Sequence, residues 1–134
     1  MKHIRFTQEL KISALHHLEN PDLSIEENER LYGICFRKHG HDYKLQIEMS
    51  APINERTGLA IDRMGLEQFL DKNLVQKFEA SFLNQHFDCT SGEALSFYFY
   101  QLLKPILATQ NKDAELLAVH IQETRKNWFS YSNL

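Results

Sequence analysis

The chain has 134 residues, 43% of them hydrophobic, enough for one compact domain over residues 1–134 with a real core and hardly enough for two. Its charges nearly balance, with a formal net of −3, which argues against a dedicated nucleic-acid binder but leaves room for a local basic pocket for an anionic small molecule. No apolar run suits a signal peptide or a membrane span, and Cys35 and Cys89, with no sign of export, read as reduced thiols of a cytoplasmic protein.

Over residues 4–14 the apolar side chains Ile4, Phe6, Leu10, Ile12 and Ala14 fall on even positions, the period of a half-buried strand. The polar residues 19–30 read as an exposed loop. A second strand is expected over about residues 41–50, with Tyr43, Leu45, Ile47 and Met49 on one face. Residues 51–58 are rich in turn formers and lead to a short extended piece at 59–61.

Asp62 stands where an N-cap belongs, ahead of Leu66, Phe69, Leu70, Leu74 and Phe78 at helical spacing. A second helix starts at Thr90-Ser91-Gly92-Glu93, the pattern of a capping box, and Pro105 is expected to kink it or close its last turn. Leu117, Val119 and Ile121 alternate in a third strand, followed by a further extended piece around residues 128–131. The order β-β-α-α-β predicts an α+β fold, an antiparallel sheet with two helices on one face. If the other face is apolar as well, association of subunits has to cover it.

Parity shows which polar residues prolong the apolar faces. Extending the first strand past Ala14 reaches His16 rather than His17; running the second backwards from Tyr43 reaches His41 and His39; the third continues from Ile121 to Glu123. Buried polar groups need partners, so each position asks for a reason. A lone histidine on such a face is more often a hydrogen-bonded core residue, which is the reading for His120 and His86. Neutral imidazoles also bind zinc, and three of them match the ligand number of a site with one open position. Cys35 lies a few residues ahead of the i, i+2 histidine pair as a possible nucleophile or acid/base, whereas Cys89 reads as a small buried hydrophobe. Glu123 equally suits an ion pair with Arg125 or Lys126. Glu93 has a sufficient role in the capping box, and Arg37 and Lys38 form a solvated loop that would also suit an anionic substrate.

At these residues the chain resembles the 6-pyruvoyltetrahydropterin synthase / 6-carboxytetrahydropterin synthase family. Residues 12–18, Ile-Ser-Ala-Leu-His-His-Leu, resemble the family's strand ending in Ala-Ala-His-Arg-Leu, whose histidine is a zinc ligand. Residues 35–43 resemble Cys-x-x-x-His-Gly-His-Asn-Tyr of bacterial members, residues 57–62 the Thr-Gly-Met-Val-x-Asp segment, and residues 90–95 Pro-Thr-Gly-Glu-Asn-Leu. Glu123-Thr124 matches the motif whose glutamate anchors the pterin ring.

The resemblance implies zinc (Zn2+) held by His16, His39 and His41, Cys35 as the catalytic thiol, and Glu123 and Ser91 as pterin-binding residues. It implies 7,8-dihydroneopterin triphosphate as substrate, giving 6-carboxytetrahydropterin, a queuosine precursor, or 6-pyruvoyltetrahydropterin; the Cys-x-x-x-His spacing points to the 6-carboxy branch. It also implies the tunnelling fold, with sheets joined into a barrel in a homo-hexamer built from two trimers. One departure stands out. Where the family has Leu-Asp-His-x-x-Leu-Asn, residues 78–84 read Phe-Glu-Ala-Ser-Phe-Leu-Asn. Glu79 can stand for the aspartate in charge, but Ala80 replaces the proton-transferring histidine. The alternatives are therefore a zinc- and pterin-binding paralogue with lost or altered activity, or a variant that cleaves the side chain of dihydroneopterin by a retro-aldol route.

Overall fold

In the computed structural model, which describes residues 2–133, the two strands read from the alternating segments are each longer than the pattern alone demanded. β1 runs over His3–His16 and β2 over His39–Pro52. They pair antiparallel along their whole length, with His3 opposite Pro52 and His16 opposite His39. β3 (Glu115–Thr124) and β4 (Asn127–Ser132) complete a four-stranded sheet in the order β1-β2-β3-β4, antiparallel throughout. The expected extended piece at residues 59–61 is not a strand.

The helical layer covers one face. α2 (Arg63–Leu70) is capped by the Asp62 side chain on Gly65 N–H, then continues through a π turn at Asp71–Val75 into the single turn α3 (Gln76–Phe78). This run lies against β1, and α4 (Gly92–Gln110) lies against β3 and β4. Leu66, Leu70, Leu74 and Phe78 from the run α2 to α3 meet Leu95, Phe99 and Leu103 of α4 and the inward side chains Ile12, Leu45, Ile47, Val119 and Ile121 of the sheet. Each such side chain, fully buried, contributes about 1.5–3 kcal/mol, which fixes the parity of every strand.

Four local expectations are corrected. Residues 19–30 are not all loop: α1 occupies Ile25–Tyr32, with a capping box between Ser24 and Glu27. Its signal is a cap without an apolar stripe, since Asn28 is its one buried residue. The capping box expected at Thr90 does not form, because Ser91 is the N-cap of α4 and accepts from Ala94 N–H, and an alanine at that position has no side chain to reach back. Pro105 does not close α4, which runs on to Gln110 with Leu107 held in the core. In β3 a bulge between the Met49–Leu116 and Glu48–Ala118 pairs leaves Leu117 over, so Leu116 rather than Leu117 takes the buried place. The outer face of the sheet is polar, with Thr7, Glu9 and Lys11 on β1 and Lys44, Gln46 and Glu48 on β2. The condition for an apolar face needing subunit cover is not met.

Candidate metal centre and ligand pocket

At one end of the sheet, parity and register bring three imidazoles together on the helix-covered side. His16 closes β1 directly opposite His39, and His41 lies two residues further along β2. Their ring centroids are 4.4, 4.9 and 4.8 Å apart, and one nitrogen from each falls within 4.8 Å of the others. His16 is 1% exposed.

The backbone decides which nitrogen is offered. His16 Nδ1–H donates to the Thr90 carbonyl at 2.9 Å, and His39 Nδ1–H donates to the Arg37 carbonyl at 2.6 Å. A carbonyl only accepts, so both rings carry a proton on Nδ1, and in the neutral ring that leaves Nε2 with a free lone pair. The Nε2 atoms of His16 and His41 are buried and make no hydrogen bond. Leaving such groups without partners typically costs about 1–3 kcal/mol each, which a cation accepting their lone pairs would recover. The second ring nitrogen held by a carbonyl is the usual support of a metal-binding histidine.

Protonation points the same way. Burial holds the His16 imidazolium acid at about 4, against the opposing pull of the Thr90 carbonyl and with a further push from His39, His41 and His17. Burial, then His39, also lowers His41, with Asp42 opposing. Both rings are therefore neutral at neutral pH, the ligand form.

Thr90 is positioned by a polar clasp. Asn84 Oδ1 accepts from His17 N–H at 3.0 Å, while Asn84 Nδ2 donates to the His17 carbonyl at 2.9 Å. Thr90 Oγ1 reaches that same carbonyl at 3.0 Å. Neither Thr90 nor Asn84 is legible as a site residue in the sequence, because Thr90 acts through a backbone carbonyl that every residue type possesses.

Glu123 is half-buried at a bulge between β3 and β4, on the side of the triad. Burial raises its carboxyl above the usual range; His39 opposes this and Glu93 adds to it. No ion pair joins it to Arg125 or Lys126 among the described residues. Glu93, freed from the expected capping box, is exposed in the first turn of α4. Tyr43 stands against the triad, its ring 5.8 Å from His16 and 5.4 Å from His41. Histidines, phenol and carboxylate thus lie near one another at this end of the sheet.

The remaining candidates are placed differently. Cys35 is a free, half-buried thiol in a 3-10 turn at Gly33–Phe36, whose carbonyl accepts from Leu18 N–H at 2.8 Å; it is not part of the histidine group. Ser91 is engaged as the α4 cap, with Cys89 Sγ 3.6 Å from its Oγ; Cys89 is exposed rather than buried. Glu79 accepts from Ser13 N–H at 2.9 Å, and Ala80 N–H donates to the Ser13 carbonyl at 2.7 Å, so this segment covers the open edge of β1. Ala80 has a left-handed backbone, φ 58°. It lines a cavity of about 380 Å³ with Ser13, His41 and Asp42, and Ser13 Oγ donates to Asp42 there at 2.6 Å. His86 is exposed and packs on Phe78, centroids 5.1 Å apart. A larger cavity of about 520 Å³ lies beside Ile53, Leu59 and Asp62 and contains no residue of the triad.

Comparison with known proteins meets this geometry. The sequence profile of the family described as 6-pyruvoyl tetrahydropterin synthase matches residues 5–133. The 6-pyruvoyl tetrahydrobiopterin synthase of Drosophila melanogaster is 31% identical over 133 residues, covering 93% of this chain and 77% of that protein. The protein of the same name from Dictyostelium discoideum is 31% identical over 124 residues, covering 89% and 88%. The structure of Caenorhabditis elegans 6-pyruvoyl tetrahydropterin synthase superposes with a TM-score of 0.88 at 23% identity, over 100% of this chain and 98% of that one, which establishes the fold. Three histidines set to hold a metal, on this sheet and in this order of motifs, are what a chain of the 6-pyruvoyl tetrahydropterin synthase family, to which this one belongs, would carry.

Proposed function

We propose that the protein is a zinc-dependent lyase of pterin biosynthesis acting on 7,8-dihydroneopterin triphosphate and giving 6-carboxytetrahydropterin or 6-pyruvoyltetrahydropterin. The observation that carries this reading is the convergence of three imidazoles, two of whose buried Nε2 atoms have no partner in the protein. His16, His39 and His41 would hold the metal, all through neutral nitrogens, a donor set well suited to zinc. Bound there, zinc supplies Lewis acidity toward the hydroxyl oxygens of the substrate side chain.

The chain's own groups do the rest. Glu123 accepts hydrogen bonds from the amino group and ring N–H of the pterin, which accounts for a carboxylate on an otherwise apolar face. Ser91 borders the same ring while capping α4. Cys35 moves protons between pterin and side chain, and Glu79 stands in charge for the family's aspartate. The same reading carries a cytoplasmic, single-domain subunit and a homo-hexamer of two trimers whose polar sheet faces line a barrel.

One observation favours a second reading. Ala80 opens onto a cavity with Asp42 and His41 and has no side chain able to transfer a proton. A zinc- and pterin-binding paralogue with lost or altered activity fits that vacancy of chemistry. Incubating the zinc-loaded protein with 7,8-dihydroneopterin triphosphate separates the readings. Release of triphosphate marks the synthase, 6-hydroxymethyldihydropterin marks side-chain cleavage, and bound but unchanged substrate marks the paralogue. Ala80→His should raise synthase turnover by about 10²–10⁴-fold if the inherited mechanism is otherwise intact.

A further inference from the structure

Tyr43 is 1% exposed, and its phenolic oxygen is buried with no hydrogen-bond partner. A phenol keeps its proton at physiological pH, so this hydroxyl is a neutral donor. Nothing in the fold explains that oxygen. A phenylalanine would fill the same space on the inner face of β2, and burying a hydroxyl with its hydrogen bond unmade works against folding. In natural proteins a rule broken in this way is expected at functional sites, where a bound group completes the donor.

We propose that Tyr43 Oη is a ligand-facing hydrogen-bond donor, completed by an oxygen of the substrate lying between the histidine triad and Glu123. The inference rests on the pterin reading above and deepens it. The ring is pinned edge-on against His16 and His41, so the position of its oxygen is set before the ligand arrives. Glu123, an acceptor, selects N–H groups, and the triad, through a metal, selects oxygen lone pairs. The phenol adds a neutral donor to this group. On a pterin side chain the oxygen it meets gains negative charge when the adjacent carbon loses its proton. The bond therefore counts for more in the transition state than in the bound substrate.

The test is Tyr43→Phe in the zinc-loaded full chain, with three readouts. The ligand-free variant should melt no lower than the parent, because an orphaned donor has been removed and the ring kept. Affinity for neopterin, followed by its fluorescence, should fall about tenfold, the ordinary worth of one hydrogen bond in a dry site. Turnover of 7,8-dihydroneopterin triphosphate should fall further, by up to about 10²-fold, with little change in KM. A variant that melts lower while binding neopterin as tightly as the parent means that the hydroxyl has a structural partner, and the proposal is overturned. Equal melting and equal affinity overturn it too. If the parent itself binds no pterin, the functional reading falls and takes this one with it, which separates the two failures.

Discussion

His16 and His120 sit on the same four-stranded sheet, one on each face, and they are wired in opposite ways. His120 has both ring nitrogens occupied, Nδ1 by Ser130 Oγ at 2.6 Å and Nε2 by Glu48 Oε1 at 2.9 Å. His16 has one nitrogen held by a carbonyl and the other bare, facing two more imidazoles. The first residue is a finished cross-strand clamp, tying β2, β3 and β4 across the polar face. The second is unfinished, and the fold has arranged for it to be so by spending a backbone carbonyl on the nitrogen that a metal does not need. Burial is a poor guide to function here; the inventory of unmet hydrogen bonds is a good one.

The sharpest way to break this contrast is to remove each histidine in turn. His16→Ala should lose nearly all bound zinc, read as metal per chain by elemental analysis. His120→Ala should keep full metal content and lose about 1 kcal/mol of stability, from one partly exposed clamp. Equal metal content in the two variants would place the metal, if any, outside the triad.

Acid should separate the two faces next. The His16 ring titrates at about 4 in the folded chain, against 6.5 for an ordinary histidine, chiefly because burial disfavours its charged form. Between those values the unfolded chain binds the proton and the folded one does not, so stability falls as pH falls. The contribution is whole above pH 6.5 and used up near pH 4. The direction for His41 is the same. Metal-free protein should therefore lose melting temperature steadily over that window. His16→Phe, which removes the titrating ring but keeps an aromatic ring, should flatten the slope; an unchanged slope would mean that His16 is not its source.

How much of this was readable in advance follows from the kind of signal each part leaves. Strand parity places His16, His39, His41 and Glu123 on one face because a period of two is dictated by the pleat and enforced by core burial. It fails at Leu117, where a bulge shifts the count by one, and nothing in Glu115-Leu116-Leu117-Ala118 announces an extra residue. α1 was hidden for another reason. Its Ser24–Glu27 box is explicit, but helices are looked for by an apolar stripe, and this one exposes Ile25 and Leu31 and buries only Asn28. The partners that orient the triad, the carbonyls of Thr90 and Arg37, leave no trace in residue type at all. The polarity of the outer face was legible from the odd positions of β1 and the even positions of β2, once the strands were granted.

Asn84 and Asn28 allow the contrast to be drawn once more with chemistry held constant. Each is an asparagine whose amide clasps backbone groups of a neighbouring segment: Asn84 on His17, Asn28 on Asn20, Leu23 and Ser24. Alanine at either should cost about 1–3 kcal/mol through the polar groups left unpaired. Only Asn84 stands behind the triad, since its clasp on His17 and Thr90 sets the carbonyl that orients His16. Asn84→Ala should therefore weaken zinc binding about 10–100-fold with all three ligands still present, the usual cost of losing an outer support. Asn28→Ala should leave the affinity where it was. A competitive chelator titration on both, run where each is fully folded, decides the matter. Equal weakening in the two would mean that metal affinity follows overall stability, and that the orientation of His16 is not a separate property of this end of the sheet.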